Sequence, residues 1–413
     1  MRSLPRAAAL RRTTTARPEP VPPPQVRVLL TPAPVTELKI EVKGPYRVQG
    51  VGSAQVFEKG DKLSPSRVAA GSKGIQIQVG NRLYPGSKLE IVPLKGSVVW
   101  VDAHAYRGSV RLHRSTSGRL SAVNHVPLEA YVASVVNGEM PADFAVEARK
   151  AQAIVARSYA LSHIRTAHAD AIFDLYASTR SQKYLGYQSR ATDGRLLAGE
   201  SEESREIVAE TAGLACTYRG EVFCPYYSAV CGGRTMAGTE FFADAAPPLQ
   251  SVVCQTCRPA RLYRWQATLP KKTVEQRLRT HFAKQGGRLG GLRSLRLAGP
   301  VAPGRVPRFD AGDGRQTFRI SGNDLRTILG TQVLYSPRFT VDFRGENLLF
   351  KGQGYGHGVG MCQWGARGLA DEGLTGLQIL AHYYPGSKIV GYNGRQRELP
   401  ASITRNAKLS RKR

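Results

Sequence analysis

Two short stretches of this chain put reactive side chains beside residues that break regular backbone. In Asn137-Gly138-Glu139-Met140-Pro141 a carboxyl stands between a helix-weakening glycine and a helix-ending proline. Held among apolar neighbours such as Met140, a glutamic acid sheds part of its water, which favours its protonated form near neutral pH. The same spacing also suits an ordinary surface carboxylate at a helix end. The second stretch, KGQGYGHGVGMCQWG at Lys351–Gly365, has glycine at 352, 354, 356, 358 and 360. On an extended strand those glycines share one face, and Gln353, Tyr355, His357 and Val359 share the other. A face without side chains lets a backbone or an extended ligand lie close, as would a tightly packed core strand. No G-x-G-x-x-G register fits and no Lys-Ser/Thr follows, so this is neither a dinucleotide fingerprint nor a phosphate loop.

Cysteine offers a third kind of chemistry. Cys254 and Cys257 form a C-x-x-C, half of many zinc sites, which Cys231 with Cys224 or Cys216 could complete. An oxidising compartment would instead join Cys231 to one of the pair. The reading favours a disulfide or free thiols over a structural zinc at Cys254, Cys257 and Cys231, and no cofactor is required. Cys216 and Cys224 flank a hairpin turning at Arg219-Gly220. A two-residue turn points their sulfurs to opposite faces, whereas a three-residue turn sets them opposite each other.

The element that must position Glu139 is a helix. Leu128, Tyr131, Val132, Val135 and Val136 recur at i, i+3, i+4, i+7 and i+8, one apolar stripe, and Pro127 suits a first helical position. A second helix is expected from Asp143, a good cap, through FAVEARKAQAIVARSYAL. Upstream, short runs (VRVLL, ELKIEV, IQIQV, LEIVPL, SVVWV) are separated by Gly, Pro, Asn and Ser and show the alternation of half-buried strands. The expected fold class is α+β. Residues 1–25 read as a disordered basic, Pro-rich terminus. A small β-rich unit follows at 26–105, then a larger mixed α+β domain at 106–395 and a basic tail at 396–413.

The chain has 413 residues, with 59 Lys+Arg against 31 Asp+Glu and a net charge of +28. Such an excess attracts nucleic acid, anionic lipid or anionic wall polymer without choosing among them. No nucleic-acid reader motif or aromatic–basic interleaving is present, so nucleic acid is not an expected partner. No run approaches the ~18 apolar residues of a membrane span. The N-terminus has the charge of a signal peptide's first segment, but only Ala7 to Leu10 are apolar in series, so no signal peptide is visible.

Several separated motifs agree on one family. LEAYVASVVNGEMP with EARKAQAIVARSYAL, and downstream GYGHGVGMCQWGARGLADEG with ILAHYYPGSKI, closely resemble the SpoIID/LytB family, the stage II sporulation protein D and amidase-enhancer group. YYSAVCGGRT at 226–235 resembles its Gly-Gly-containing segment, and the likeness covers residues from about 106 to about 390. The resemblance implies a peptidoglycan lytic transglycosylase, a glycan-cleaving lyase acting on peptide-stripped strands to leave anhydro-muramyl ends, with Glu139 as its acid. It also implies that Gln152 and Arg157, on the following helix, are polar members of the site. Helical spacing turns them roughly 140° apart, so they do not share a face. Arg157 is open to two roles: holding the sugar's anionic lactyl group, or fixing the Glu139 carboxylate. Tyr355, His357, Gln363 and Arg234, the last beside Gly232-Gly233, complete the expected substrate-binding set, with the Glu139 junction facing the glycine-rich segment. Glu129 and Glu147 are expected to be exposed helix residues. The family's other name implies an alternative, a non-catalytic wall-binding protein that stimulates an N-acetylmuramoyl-L-alanine amidase. The implied partners are glycan strands and such an amidase, and the implied location is the cell envelope, periplasmic or extracytoplasmic. Some members carry Cys and His in a zinc site at the equivalent of residues 173–184. Here Tyr176, Arg180 and Ser181 stand instead, so no metal is expected there.

Overall fold

Alternating apolar residues in the N-terminal part form strands that bury every second side chain, as Val26 and Val28 do in Gln25–Leu29 and Val110 and Leu112 in Ser109–Arg114. The computed structural model describes residues 24–52, 55–71, 73–77 and 82–392. The expected disordered terminus, apart from Pro24 and Gln25, and the expected basic tail lie outside these residues. A seven-stranded sheet runs in the order 175–176, 25–29, 120–127, 109–114, 88–93, 46–50 and 56–60. An eight-stranded sheet runs 196–198, 188–190, 104–106, 99–101, 37–42, 63–70, 74–77 and 82–85.

The division expected at residue 105 does not fall between sheets. Gln25–Leu29 pairs antiparallel with Leu120–Pro127, and Lys88–Pro93 pairs with Ser109–Arg114. Strands of both expected units therefore satisfy one another's backbone groups, which a separate small sheet would leave on open edges. Among the described residues the helices are α1 (Leu128–Glu139), α2 (Val146–Thr166), α3 (Glu202–Glu210), α4 (Lys271–Ala283), α5 (Gly322–Leu329), α6 (Gln363–Asp371) and α7 (Gly376–Tyr383). The fold class is mixed α+β.

Three apolar cores organise these elements. In the first, Leu128, Tyr131, Val132, Val135 and Val136 of α1, all 0% exposed, pack with residues of both large sheets. Each such aliphatic side chain contributes roughly 1.5–3 kcal/mol by leaving water. The second core joins α2, α6 and α7 to loops bearing Cys231, Cys254 and Cys257. The third gathers α4 and α5 on two three-stranded sheets, one built from Arg264–Pro270, Phe339–Arg344 and Asn347–Gln353.

Helix α2 begins two residues later than the cap reading places it. Ala145 occupies the cap position without a side-chain bond, and Asp143 pairs instead with Arg367 of α6 at 3.4 Å. Downstream, Thr217 pairs with Val222 and Tyr218 with Glu221, with Arg219 and Gly220 at φ +52° and +87° between them. This is the two-residue turn, whose paired positive φ values match the twist of a hairpin. It leaves Cys216 out of register with Cys224.

Candidate active site

Glu139 is the last residue of α1, and its position depends on the glycine before it. A Cβ on Gly138 would lie 2.4 Å from the carbonyl oxygen of Lys183, so a bare residue lets the 179–185 loop rest against the helix end. That loop then grips α1 twice. The Lys183 N–H donates to Glu139 Oε1 at 2.7 Å, and the Leu185 N–H donates to Ser134 Oγ at 3.0 Å. Buried Met140 closes the helix by donating its N–H to the Val136 carbonyl. A second support reaches Glu139 from behind. Tyr131 donates to Gln182 Oε1 at 3.0 Å, and Gln182 Nε2 donates to the Tyr227 hydroxyl at 3.2 Å. Burial, followed by the nearby Glu139 carboxylate, pushes the Tyr227 phenol well above its ordinary range. Tyr227 therefore keeps its proton and remains able to donate it toward Glu139.

The glycine-rich segment departs from the extended strand expected of it. The strand Asn347–Gln353 stops, and Gly354, Gly356, Gly358 and Gly360 take φ of +90°, +103°, +79° and +68°. Residues with side chains rarely adopt such angles. The turns bring two backbones together: a Cβ on Gly360 would lie 1.8 Å from the Tyr226 carbonyl oxygen, and one on Gly354 would lie 2.6 Å from that of Val230. Val230 bridges Tyr355, Met236 bridges Val359, and Tyr227–Ser228 runs parallel to Met361–Cys362.

A cavity of about 590 Å³ lies between α1 and this segment. Glu139, Tyr227, Tyr355, His357 and Gln363 all line it; Arg180 and Arg326 are its cations, and Tyr159, Tyr226 and Phe242 form an aromatic wall. Tyr226 stacks on Phe242 and donates its hydroxyl to Asp244 at 2.8 Å. Glu139 is the only carboxylate among the lining residues.

His357 is held as a neutral donor. Its Nδ1 accepts the Val359 N–H at 3.0 Å, which leaves its proton on Nε2. Burial, with the Arg326 charge next, lowers its pKa to about 4, against a small opposing pull from the Tyr227 backbone. An unfolded histidine takes up its proton near pH 6.5. The neutral form therefore stabilises the fold above that pH, and this contribution is lost as pH falls toward about 4. Proton NMR of the His357 ring is expected to show its inflection near 4. An inflection near 6.5 would contradict this picture.

The remaining expected site residues lie elsewhere. Gln152 is fully buried behind the cavity, where its Oε1 accepts Gln363 Nε2 at 3.3 Å and its own Nε2 has no partner. Arg157 is not brought to the cavity. It is 0% exposed, and its Nε and Nη2 hold the Glu129 carboxylate at 2.9 and 2.6 Å while Nη1 donates to the Leu214 carbonyl at 3.2 Å. Its place on α2 faces α1 and the strand Leu214–Tyr218, so Glu129 is a structural ion-pair partner and not a free surface carboxylate. Arg234 lines a different cavity of about 850 Å³, with Arg264, Arg305, Arg338 and Lys351.

Besides the aromatic wall, three lining residues with polar roles were not picked out from the sequence. Tyr227 lies within the 226–235 motif, and its aromatic pair with Tyr226 was the available signal. Arg180 stacks on Tyr176, 3.8 Å from the ring centre. Arg326 comes from α5 in the third core, and no local pattern marks it. Of the cysteines, all six are free. The sulfurs of Cys231, Cys254, Cys257 and Cys362 lie within 4.8 Å of one another. Cys216 and Cys224 stand apart as thiols that burial pushes up to about 12.

Comparison with known proteins points the same way as the motifs. Residues 116–218 match the model of SpoIID, stage II sporulation protein, and residues 252–360 match a domain of unknown function, DUF8618. An uncharacterized protein of Brachyspira hyodysenteriae is 29% identical over 391 residues, covering 92% of this chain and 97% of that protein. Stage II sporulation protein D of Bacillus subtilis is 28% identical over 292 residues, 68% of this chain and 78% of its own length. The amidase enhancer of the same organism is 25% identical over 302 residues, 62% of this chain but 40% of the enhancer. The SpoIID match takes in α1, α2 and the Glu-Met-Pro junction between them, and with these relatives it supports membership of the SpoIID/LytB family.

Proposed function

We propose that this protein, whose family ties it to the cell wall, is a lytic transglycosylase that cuts peptidoglycan glycan strands with Glu139 as both acid and base. The observation that supports this reading is the lone carboxylate in the cavity. Hydrolytic glycosidases generally need two carboxyl groups, one to protonate the leaving oxygen and one to act from the other side of the sugar. A transglycosylase needs one. Glu139 gives its proton to the bridging oxygen as the C1–O bond breaks. The sugar's own C6 hydroxyl closes on C1, and its proton returns to Glu139, so no water enters the product. An attacker within the same sugar already has a high effective concentration.

The surroundings suit those roles. The Lys183 N–H fixes one carboxylate oxygen and leaves the other for the substrate. Arg180 and Arg326 supply positive charge for the lactyl carboxylate of a muramic acid, and the Tyr226–Phe242 wall offers an apolar face for a sugar ring. In this reading the protein works outside the cytoplasmic membrane. No helix among the described residues is long and apolar enough to cross one.

The test is the mass of fragments released from purified, peptide-stripped glycan. The expected fragments are lighter by one water than those of a muramidase digest. Fragments with ordinary reducing ends would refute the transglycosylase. The similarity to an amidase enhancer favours a second reading, stimulation of a wall amidase by binding alone. In that case no glycan fragments would be released.

A further inference from the structure

We propose that Cys231, Cys254, Cys257 and Cys362 bind one zinc ion as a closed, structural four-thiolate site. The proposal does not depend on the cleavage chemistry above. All four residues are buried, and their sulfurs lie within 4.8 Å of one another. Zinc–thiolate bonds of about 2.3 Å in a tetrahedron set neighbouring sulfurs about 3.8 Å apart. Cys231 and Cys257 already stand at 3.7 Å. A disulfide would use two of the sulfurs at about 2 Å and give no reason for the other two to converge.

Two carbonyls beside the sulfurs, Ala229 at 3.6 Å from Cys362 and Cys254 at 3.4 Å from Cys257, suit thiols, whereas the other polar groups suit thiolates. Cys362 Sγ accepts two backbone N–H groups, from Cys231 at 3.2 Å and from Gly365 at 3.3 Å. It is also the cap residue of α6, where the helix N-terminus favours negative charge. Tyr383 places its hydroxyl 3.1 Å from Cys254 Sγ. Arg338 lies close enough to Cys231 and Cys257 to feel both, and it is anchored to the Gly232 and Arg234 carbonyls at 3.4 and 3.0 Å. A zinc ion with four thiolates carries a net charge of −2, which a buried guanidinium beside it offsets.

There is no open position for catalysis. A Cβ on Gly365 would lie 2.4 Å from Cys254 Sγ and 2.1 Å from the Tyr383 hydroxyl, so this side of the site has no space for a water ligand. The bound ion would tie three distant segments together. Two of them carry cavity-lining residues next to their ligands: Ser228 and Ala229 before Cys231, and Gln363 after Cys362. Its role would be to fix the back of the cavity.

The test is metal analysis of the full-length protein purified without chelator. About one zinc per chain is expected, as for other closed thiolate sites. Cys257→Ser and Cys362→Ser should each lose most of it, and Cys224→Ser should retain it. Because a ligand variant could fail to fold, the unchanged protein is also titrated with a mercurial in the presence of a zinc-sensitive dye. Zinc release in step with the modification of four thiols supports the site. Folded protein without metal would overturn it. So would an intact mass short by two hydrogens with only four of the six cysteines alkylated after denaturation, the signature of a disulfide. One equivalent of iron would overturn the assignment to zinc.

Discussion

Glu139→Gln is expected to bind glycan as the parent does and to release anhydro-ended fragments about 10²–10⁴-fold more slowly, the usual contribution of a positioned acid–base group. Glutamine keeps the shape of the side chain and an oxygen to accept the Lys183 N–H, so the loop contact that holds the junction survives. What it lacks is a proton that can leave and return. No other carboxylate lines the cavity, so no neighbour can take over the step. Sedimentation with insoluble glycan measures binding, and mass spectrometry of the soluble fraction measures cleavage. A variant as fast as the parent would remove Glu139 from the mechanism. If the parent releases nothing while parent and variant stimulate an amidase equally, the enhancer reading holds.

Arg157→Ala is expected to destabilise the fold by about 3 kcal/mol while leaving cleavage per folded molecule unchanged, the loss seen when one partner of a buried ion pair is removed. The guanidinium joins α1, through Glu129, to the carbonyl of Leu214 on another element. Removing it strands a carboxylate whose side chain is only 32% exposed, so water makes good part of the loss and the effect falls at the lower end of the usual range. Arg157→Lys should recover only a fraction, because an ammonium cannot present the two parallel N–H groups that Glu129 accepts. Denaturant melts followed by far-UV circular dichroism give the stability, and fragment release normalised to folded protein gives the activity. Lost cleavage at unchanged stability would instead return Arg157 to the substrate role that family resemblance implies.

How far the sequence could be read differs from residue to residue, for physical reasons. The stripe from Leu128 to Val136 is a local periodic signal, and α1 lies where the stripe places it because one apolar face decides a helix. The glycine run misled because a period of two belongs to strands and equally to a chain that turns left-handed at every second residue. Only the neighbouring Tyr226–Met236 backbone selects between them. The end of α2 nearest the site shows a similar limit, since Asp143 is a good cap by type but is taken by Arg367. Arg157 was read through a motif, and a motif records that a residue recurs, not which way it faces. Arg326 reaches the cavity from a separate core, so no local window contains it together with Glu139. The meeting of Cys362 with the C-x-x-C is hidden in the same way, by sequence distance.

The bond between Gln363 and Gln152 spans 211 residues and has a temporal meaning. A ribosome adding 5–20 residues per second would take roughly 10–40 s to make the intervening chain. For most of that interval Glu139 and both flanking helices exist before Arg326, Tyr355, His357 and Gln363 have been made. The nascent chain therefore carries its acid, with Arg180 and the Tyr226–Phe242 wall, before the far side of the cavity is made. A fragment ending before α5 would lack that far side altogether, because Arg326, Tyr355, His357 and Gln363 all come later.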